Sequence, residues 1–312
     1  MALSANSVAF FGPSGTFTEE ALLTQPDLAA CALVPKISIA DVLEAVATGE
    51  VTLGFVPIEN AIEGTVTETV DALVFDYDFS IEREVILDIH LQLMARPGTR
   101  VEDVTRIHSY PHALAQVRNY LSTTFTDVVT IAENSTADAA RVVGDHGEKA
   151  DAAVAPRLAA SLYGLEIIAN DIEDHSGNQT RFVTVSKNAI PAPTGHDRTS
   201  IVCFQDADRP GSLYGILGQF AARDINLTNL QSRPTKSGLG NYCFIIDLEG
   251  HIADQVVADC LRDLRANLAT IKFLGSYPIG GELSAAVREQ ASQARGEADD
   301  WMASLQARLG DS

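Results

Sequence analysis

The stretch Val8-Ala9-Phe10-Phe11-Gly12-Pro13-Ser14-Gly15-Thr16-Phe17-Thr18-Glu19 joins a short apolar run to a polar, helix-like segment through two glycines. The apolar run predicts a buried strand, and the glycines permit a tight turn after it. Ser14 or Thr16 would then be the N-cap of a helix. Free N–H groups at a helix start can bind an anion, although a plain strand-to-helix turn is the simpler interpretation. The stretch therefore predicts the first strand–helix unit of an α/β fold.

The same alternation continues to about residue 188. The predicted strands after the first are Leu53–Pro57, Arg106–Ser109, Val128–Ala132, Ala152–Ala155 and Thr180–Val185. The predicted helices are Val42–Ala47, Thr65–Val74, Pro111–Phe125, Thr136–Val143 and Pro156–Tyr163. Strands that alternate with helices in this way predict an α/β architecture with largely parallel sheets.

A second, smaller domain follows a linker at residues 189–198, which contains two prolines and a glycine. Its predicted elements are the strand Ser200–Gln205, the helix Gly211–Arg223, the strands Leu227–Arg233 and Tyr242–Leu248, the helix Ala253–Asn267 and the strand Ile271–Ser276. This βαββαβ order predicts an α+β, ferredoxin-like domain. The tail, 279–312, is predicted to be helical or disordered.

Composition narrows the class of protein. The chain has 312 residues, 46% of them hydrophobic and 21% charged, with a formal net charge of −20. The negative charge argues against nucleic-acid binding but not against a small anionic substrate in a locally positive pocket. The four scattered cysteines predict reduced, buried thiols and no metal site. We find neither a signal peptide nor an apolar run of about 20 residues, so we expect a cytoplasmic protein without a membrane segment.

A second candidate segment, Pro57-Ile58-Glu59-Asn60-Ala61-Ile62-Glu63-Gly64-Thr65-Val66, follows a predicted strand. Open α/β sheets bind ligands at the carboxyl ends of their strands, and the Asn60 carboxamide can both donate and accept hydrogen bonds. Glu59 is a candidate for orienting a neighbour. For both glutamates we favour a simpler interpretation, with Glu63 in the first turn of a helix that Thr65 caps.

The third segment is Asn178-Gln179-Thr180-Arg181-Phe182, at the start of a predicted strand. An arginine that enters an apolar strand needs a partner, and a carboxylate matches its planar fork. Taken alone, the segment is more often an ordinary strand start with a snorkelling arginine.

Together and in this order, the three segments resemble the prephenate dehydratase family, over most of residues 7–187. The resemblance implies a catalytic region, residues 1–188, with two α/β lobes around a cleft, similar to type II periplasmic binding proteins. One lobe would comprise about 1–84 and 173–188, and the other about 85–172. The implied reaction removes CO₂ and water from prephenate to give phenylpyruvate and needs no cofactor.

The resemblance also implies roles for single residues. Thr180 matches the threonine at the departing hydroxyl, and Arg181 matches the arginine that binds a substrate carboxylate. Asn60 and Glu133 complete the implied catalytic group, and the implied substrate-binding residues are Ser14, Thr16, Ser109, Gln116, Asn178 and Phe182.

One segment departs from the family pattern. The family commonly has Ser-His-Pro-Gln-Ala where this chain has Ser109-Tyr110-Pro111-His112-Ala113. The departure weakens any acid–base scheme that needs a histidine at position 110. A lone histidine in the first turn of a helix is more often structural or solvated, so we assign no catalytic role to His112.

Residues 199–278 resemble an ACT domain of the dehydratase type, through Asp208-Arg209-Pro210-Gly211-Ser212-Leu213 and Gln231-Ser232-Arg233-Pro234. The resemblance implies a homo-oligomer, a dimer or a tetramer, with L-phenylalanine bound at a subunit interface as effector. The implied effector-binding residues are Pro210, Gly211, Ser212, Leu213, Gln231, Ser232, Arg233 and Pro234. Gln231 replaces the usual glutamate, and a plain oligomerisation domain is the simpler alternative.

Two other functions remain open from the sequence. An arogenate dehydratase would perform the same chemistry on a substrate with an amino group in place of the pyruvyl ketone. A non-catalytic amino-acid-binding sensor is compatible with a two-lobed fold, because a fold does not determine a function.

Overall fold

The computed structural model describes residues 7–187, 189–205, 210–235, 242–281, 293 and 300–305. Residues 1–70 and 85–183 make up a first compact unit, and residues 71–84 and 184–312 make up a second. No helix within the described ranges is long and apolar enough to cross a bilayer. Asp208, Arg209 and most of the tail, for which we made sequence predictions, lie outside the described residues.

The first sheet has six strands. They are β1 (Ser7–Phe11), β2 (Ala32–Lys36), β3 (Leu53–Asn60), β4 (Gly64–Thr65), β5 (Ser80–Asp88) and β11 (Gln179–Ser186). Their order is β2-β1-β3-β11-β5, and β4 pairs with β3. The helices along this part of the chain are α1 (Phe17–Leu23), α2 (Pro26–Ala29), α3 (Ile39–Thr48) and α4 (Thr67–Asp71). Because β1 runs parallel to both β2 and β3, the carboxyl ends of these strands meet at one edge of the sheet.

The second sheet has five strands, β6 (Gln92–Ala95), β7 (Arg106–Ser109), β8 (Val129–Ala132), β9 (Asp151–Ala155) and β10 (Glu166–Ala169), in the order β10-β6-β9-β7-β8. Its helices are α5 (Pro111–Gln116), α6 (Arg118–Thr124), α7 (Thr136–His146) and α8 (Arg157–Leu162). Strand β7 is parallel to β8 and β9, whereas β6 is antiparallel to β9 and β10. The α/β class is confirmed, but the sheets are more mixed than the alternation predicts.

The third sheet lies in the second unit. Its elements are β12 (Asp197–Phe204), α9 (Ser212–Ala221), β13 (Leu227–Pro234), β14 (Tyr242–Glu249), α10 (Gln255–Asn267) and β15 (Thr270–Pro278). The strands are antiparallel in the order β13-β14-β12-β15. Ile201, Ile246, Phe220 and Leu264 are at most 1% exposed in the core that joins this sheet to its helices. The predicted βαββαβ domain is confirmed.

Strand β5 escapes sequence prediction because its centre is charged, at Glu82-Arg83-Glu84. Glu84 is only 3% exposed, and its carboxylate lies 3.0 Å from Arg198 Nη1 and accepts a hydrogen bond from Gly280 N–H. A buried carboxylate is tolerated when such partners surround it. These partners are more than 100 residues away along the chain, so no local pattern reveals them.

Two predicted helices are wrong in extent. The α-helix predicted at Thr65–Val74 begins only at Thr67 and passes into a π-helical turn at Ala72–Asp76. The single helix predicted at Pro111–Phe125 is divided at Val117, whose φ and ψ are −116° and 14°.

The chain passes from the first sheet to the second between β5 and β6, and returns between β10 and β11. The two crossover segments lie side by side, because Ile89 N–H donates to Asn178 O at 2.8 Å and Ile172 N–H donates to Leu91 O at 2.9 Å. These two hydrogen bonds pair the backbones of the crossover segments, which connect the first sheet to the second.

The His90 side chain adds a pH-dependent contact between the crossover segments. The hydrogen bond to Glu173, at 2.9 Å, and the nearby carboxylates of Glu173, Asp171 and Asp88 hold the pKa of His90 above its ordinary value. A raised pKa in the folded state gives stability that is complete below the unfolded-state pKa and is lost as the pH rises through the folded-state pKa.

We therefore expect the wild-type protein to lose unfolding free energy relative to His90→Gln as the pH rises through that window. Chemical denaturation of both proteins at a series of pH values measures the difference. A difference that does not change with pH would contradict the prediction.

The four cysteines are free, and three of them, Cys203, Cys243 and Cys260, are buried. Burial raises the pKa of Cys203 to about 12 and that of Cys260 to about 11, so neither thiol is ionised near neutral pH. Cys31 is half-buried. We expect an alkylating reagent to modify Cys31 alone in the native protein and all four thiols in denaturant. Mass spectrometry counts the modified thiols, and early modification of Cys203 would contradict the prediction.

Candidate active site

Asn60 ends β3, and both ends of its carboxamide are held. Its Oδ1 accepts hydrogen bonds from the N–H groups of Ile62 and Glu63, each at 2.9 Å. Its Nδ2 donates to Thr180 Oγ1 at 2.8 Å and to Asn178 Oδ1 at 2.9 Å. Because backbone N–H groups can only donate, they fix the oxygen of Asn60 on their side and its nitrogen towards β11.

Thr180 lies near the start of β11 and is 8% exposed. Its oxygen receives the Asn60 hydrogen bond, so its own hydroxyl proton is free to be donated elsewhere. Within the described part of the chain, no acceptor takes this proton. Thr180 is thus a nearly buried hydroxyl donor with an orientation set by Asn60.

Gln116 extends this set of polar side chains onto α5. Asn178 Nδ2 donates to Gln116 Oε1 at 3.1 Å, and Gln116 Nε2 lies 3.4 Å from Glu63 Oε1. We call Thr180, Asn60, Asn178 and Gln116 the amide relay. It joins the first sheet to a helix of the second sheet, and it brings together four of the residues predicted from the sequence.

Gln116 is the last residue of α5 because a distant aspartate ends the helix there. Asp174 N–H donates to Gln116 O at 2.7 Å, and the Asp174 carboxylate accepts from Asn119 N–H at 2.9 Å and from Tyr120 N–H at 3.2 Å. The carboxylate satisfies N–H groups that open α6, which is what an N-cap does. The sequence contains no glycine or proline at the break, so sequence reasoning missed it.

Arg181 follows Thr180 and is also 8% exposed. Its Nη2 lies 3.1 Å from Glu59 Oε2, and the Glu59 side chain is 44% exposed. Glu59 is therefore one partner of this buried arginine, and it helps to orient the guanidinium. Our simpler interpretation of the two glutamates is wrong: Glu59 forms an ion pair, and Glu63 lies in a turn before β4 and not in the first turn of a helix.

Ser109 and Glu133 lie together in the second sheet. The Ser109 hydroxyl is fully buried and donates to Val154 O at 2.6 Å, and Glu133 N–H donates to Ser109 O at 2.9 Å. Glu133 Oε1 lies 2.9 Å from His108 Nδ1. His108 was not among the predicted residues, although a histidine inside the predicted strand Arg106–Ser109 was a usable signal. No hydrogen bond within the described residues connects this group to the amide relay.

Ser14, Thr16 and Phe182 contact protein groups. Ser14 O accepts from Tyr163 Oη–H at 2.7 Å, and Thr16 caps α1 through an interaction with Glu19 N–H at 3.5 Å. Glu19 Oε2 also accepts from Gly15 N–H at 2.6 Å, so that N–H is already paired. Phe182 is 2% exposed and lies in the core of the first sheet. Substrate contacts of these three residues remain predictions.

The first ACT motif lines an open concavity at the start of α9. Its lining residues are Gln205, Pro210, Gly211, Ser212, Leu213, Tyr214, Leu217 and Phe244. Gly211 precedes the helix with a φ of 88°, a backbone conformation that residues other than glycine rarely adopt. The four predicted effector residues from 210 to 213 are thus together.

The second ACT motif is divided between the two faces of its sheet. Ser232 pairs with Phe244, which lines the concavity, whereas Gln231 pairs with Ile245 on the opposite face. Arg233 alternates with Ser232 and donates from Nε to Asp71 Oδ1 at 3.2 Å. Within the described residues of one chain, Gln231 and Arg233 therefore do not reach the concavity.

One group of side chains offers ligand types that a metal ion uses. Atoms of His90, Asp171 and Glu173 lie within 4.8 Å of one another. The carboxylates already accept hydrogen bonds, from Gln92 Nε2 to Asp171 at 2.8 Å and from Leu91 N–H to Glu173 at 2.9 Å. Hydrogen bonds between the crossover segments therefore explain why these three side chains lie together, and we assign no metal ion to them.

Known proteins share this architecture. The model of the prephenate dehydratase family matches residues 8–190, and the ACT domain model matches residues 199–266. A prephenate dehydratase of Mycolicibacterium vanbaalenii is 41% identical over 89% of this chain and 93% of its own length. The crystal structure of an Arthrobacter aurescens prephenate dehydratase in complex with L-Phe has a TM-score of 0.81 and 36% identity, covering 96% of this chain and 99% of that chain.

A second solved structure is described differently. GqqA, reported as a novel type of quorum quenching acylase, has a TM-score of 0.79 and 31% identity, covering 88% of this chain and 98% of that chain. The coverage of both domain models and the identity of the curated relative nevertheless agree with the motifs in the sequence. The chain belongs to the prephenate dehydratase family, a family of lyases, and carries a C-terminal ACT domain.

Proposed function

We propose that this chain converts prephenate to phenylpyruvate, CO₂ and water, and that L-phenylalanine regulates it through the ACT domain. The observation that carries the proposal is the Thr180 hydroxyl, which Asn60 holds with its proton free and which is almost excluded from water. The reaction needs such a donor where the ring hydroxyl departs.

The chemistry follows from the substrate. The ring carboxylate of prephenate leaves as CO₂, and the electron pair of the broken C–C bond enters the ring as the C–O bond of the ring hydroxyl breaks. The departing oxygen takes a proton and leaves as water, so the ring becomes aromatic without a change in the oxidation state of any protein group. Thr180 stabilises the charge that develops on that oxygen, and the proton is ultimately supplied by solvent.

Arg181 is the proposed partner of a substrate carboxylate. Glu59 pairs with Nη2 of its guanidinium at 3.1 Å. The carboxylate of Glu59 helps to orient the guanidinium, whose planar fork matches the geometry of a carboxylate. Asn178 and Gln116 are proposed to surround the substrate from the two sheets, and Glu133 keeps the role that the family resemblance implies. The buried Ser109 hydroxyl already donates to Val154 O, so a substrate contact of Ser109 would require this bond to break.

The likeness to GqqA raises a second activity, that of an acylase. Acyl transfer by a hydroxyl nucleophile requires a base that accepts the hydroxyl proton. In this chain Asn60 donates to Thr180, and no described carboxylate or imidazole is hydrogen-bonded to the hydroxyl. This arrangement favours Thr180 as a donor to a leaving group and not as a nucleophile.

Regulation by L-phenylalanine is supported by the concavity at Pro210–Leu213 and by the L-Phe complex of the similar Arthrobacter protein. The division of Gln231-Ser232-Arg233 between two faces of the sheet supports a site shared between copies, and hence a homo-oligomer. We also propose the domain boundaries 1–188, 189–198 and 199–278, with lobes of about 1–84 plus 173–188 and about 85–172. The strands of the second sheet, all within 92–169, support the second lobe.

The first experiment measures phenylpyruvate formed from prephenate by its absorbance at alkaline pH, with and without L-phenylalanine. Turnover that L-phenylalanine suppresses is the expected result. Turnover of arogenate but not of prephenate would indicate an arogenate dehydratase. Binding of L-phenylalanine without turnover of either substrate would indicate a non-catalytic sensor. Hydrolysis of an acylated substrate that persists in Thr180→Ala would show acylase activity independent of Thr180.

A further inference from the structure

Glu63 contacts α5 through both oxygens of its carboxylate. Glu63 Oε2 lies 3.0 Å from His112 Nδ1, and Glu63 Oε1 lies 3.4 Å from Gln116 Nε2. His112 and Gln116 are four residues apart, so they lie on the same face of the helix. Glu63 stands in the turn that closes around Asn60 Oδ1. A single carboxylate thus joins the end of β3 to the helix that carries Gln116.

The direction of every hydrogen bond in the amide relay follows from its two ends. At one end, backbone N–H groups fix the oxygen of Asn60, so its nitrogen faces Thr180 and Asn178. Asn178 therefore presents its nitrogen to Gln116 Oε1, and Gln116 must present its nitrogen outwards. An ionised carboxylate only accepts hydrogen bonds. Glu63 is the acceptor that completes this direction.

Tyr110 and His112, the two residues that depart from the family pattern, also take part in the contact with Glu63. The Tyr110 and His112 rings stack, with centroids 5.3 Å apart and planes 12° from parallel. The stacked ring of Tyr110 limits the rotation of His112, whose Nδ1 faces Glu63. The two unusual residues of this chain are thus coupled to each other and to Glu63.

We propose that Glu63, held by His112, is a positioning residue that fixes the orientation of Gln116 and closes the outer end of the amide relay. The inference rests on the proposed dehydration for its effect on turnover, but the orientation of Gln116 is a property of the protein alone. Glu63 acts through Gln116 and does not itself contact the substrate.

The first test replaces Glu63 by lysine, which only donates hydrogen bonds. Gln116 would then turn its oxygen to the introduced lysine, and its nitrogen would face Asn178 Nδ2, donor against donor. We expect Glu63→Lys to lower kcat/KM on prephenate about tenfold, mainly through KM, and Glu63→Gln to lower it no more than about threefold, since a carboxamide still offers an acceptor oxygen.

Glu102→Lys is the matched control. Glu102 is also an exposed glutamate, with its carboxylate 3.1 Å from Arg100 Nη1, and the change in charge is the same. We expect its kcat/KM to equal that of the wild type. Equal kcat/KM for the Glu63→Lys and Glu102→Lys proteins would overturn the proposal.

A second test needs no substrate. Asn60→Asp leaves only acceptors facing Asn178, so the carboxamides of Asn178 and Gln116 flip by 180°. The oxygen of Gln116 then faces the Glu63 carboxylate, acceptor against acceptor. Adding Glu63→Lys then supplies the missing donor. We expect Glu63→Lys to lower the Tm of the wild-type protein but to raise that of Asn60→Asp by about 2–4 °C. We expect this reversal to disappear in Gln116→Ala, which keeps the charges at positions 60 and 63 but removes the relay.

The two tests separate the possible failures. A wild-type protein without turnover on prephenate would refute the proposed function, while the reversal of sign in Tm would still support the positioning role. An effect of Glu63→Lys on Tm that is the same in both backgrounds would refute the positioning role, whatever the activity.

Discussion

We expect Thr180→Ala to lower kcat on prephenate by about 10²- to 10⁴-fold, the range in which a positioned proton donor contributes to catalysis. The methyl side chain removes the donor to the departing oxygen and leaves Asn60 Nδ2 with one partner fewer. The variant keeps Arg181, the proposed partner of a substrate carboxylate, so KM should change much less than kcat. Steady-state kinetics on prephenate measures both constants.

Thr180→Ser is the matched control for this prediction. Serine keeps the hydroxyl that Asn60 orients and loses only a methyl group, so we expect it to retain activity within about tenfold of the wild type. Circular dichroism and thermal unfolding verify that both variants fold. Equal kcat for the alanine and wild-type proteins would refute the assigned role of Thr180.

The amide relay explains how the weakly acidic hydroxyl of Thr180 would act as the proposed donor. A threonine donates only weakly in water, but here Asn60 fixes the direction of its O–H group and burial removes competing solvent. Preorganised donors in a dry site stabilise developing charge without reorganising during the reaction. Under the proposed function, the protein contributes mainly by orienting Thr180 through Asn60, whose own orientation is set by the backbone N–H groups of Ile62 and Glu63.

Sequence reasoning found the parts of the site that lie in compact motifs. Asn60, Asn178 and Thr180 each stand where a predicted strand begins or ends, and the structure joins them directly. The strand pattern was equally informative, because β7 has its predicted bounds, and β3, β9 and β11 each include the predicted strand. Strands β3 and β9 contain short apolar runs, which are local properties of the chain.

The rest depended on contacts between distant residues. Asp174 divides the helix after Gln116 although 58 positions separate the two residues. Glu84 is buried in β5, where its carboxylate pairs with Arg198 and accepts a hydrogen bond from Gly280 N–H. Such partners override local propensity, and a single sequence gives no sign of which residues will meet.

The ACT motifs show a related limit. The sequence pattern assigned Gln231 and Arg233 to one effector site with Pro210–Leu213, but in one chain these residues project from the other face of the sheet. Alternation along a strand fixes which residues share a face, so Gln231 and Arg233 were separable from Ser232 in advance. What alternation does not reveal is whether a second copy brings the two faces together.

We expect Arg181→Met to lower kcat/KM on prephenate by about 10²-fold, ~3 kcal/mol, mainly through a higher KM. Methionine fills the apolar part of the arginine site, but it has no donor for a substrate carboxylate. The side chain of Arg181 is 9% exposed, whereas that of Glu59 is 44% exposed and stays hydrated after the ion pair is lost. The variant should therefore fold, which thermal unfolding verifies.

Glu59→Gln separates orientation from binding. The carboxamide still offers an oxygen to Arg181 Nη2, so we expect kcat/KM to fall by no more than about tenfold, well short of the Arg181→Met effect. If Glu59 instead competed with the substrate for the guanidinium, Glu59→Gln would lower KM. An unchanged KM in Arg181→Met would contradict this role and would show that another group binds the substrate carboxylate. Comparing the loss of kcat/KM in Arg181→Met with that in Glu59→Gln thus separates two contributions of Arg181. The first is the presence of its charged donors, and the second is the orientation that Glu59 gives to its guanidinium.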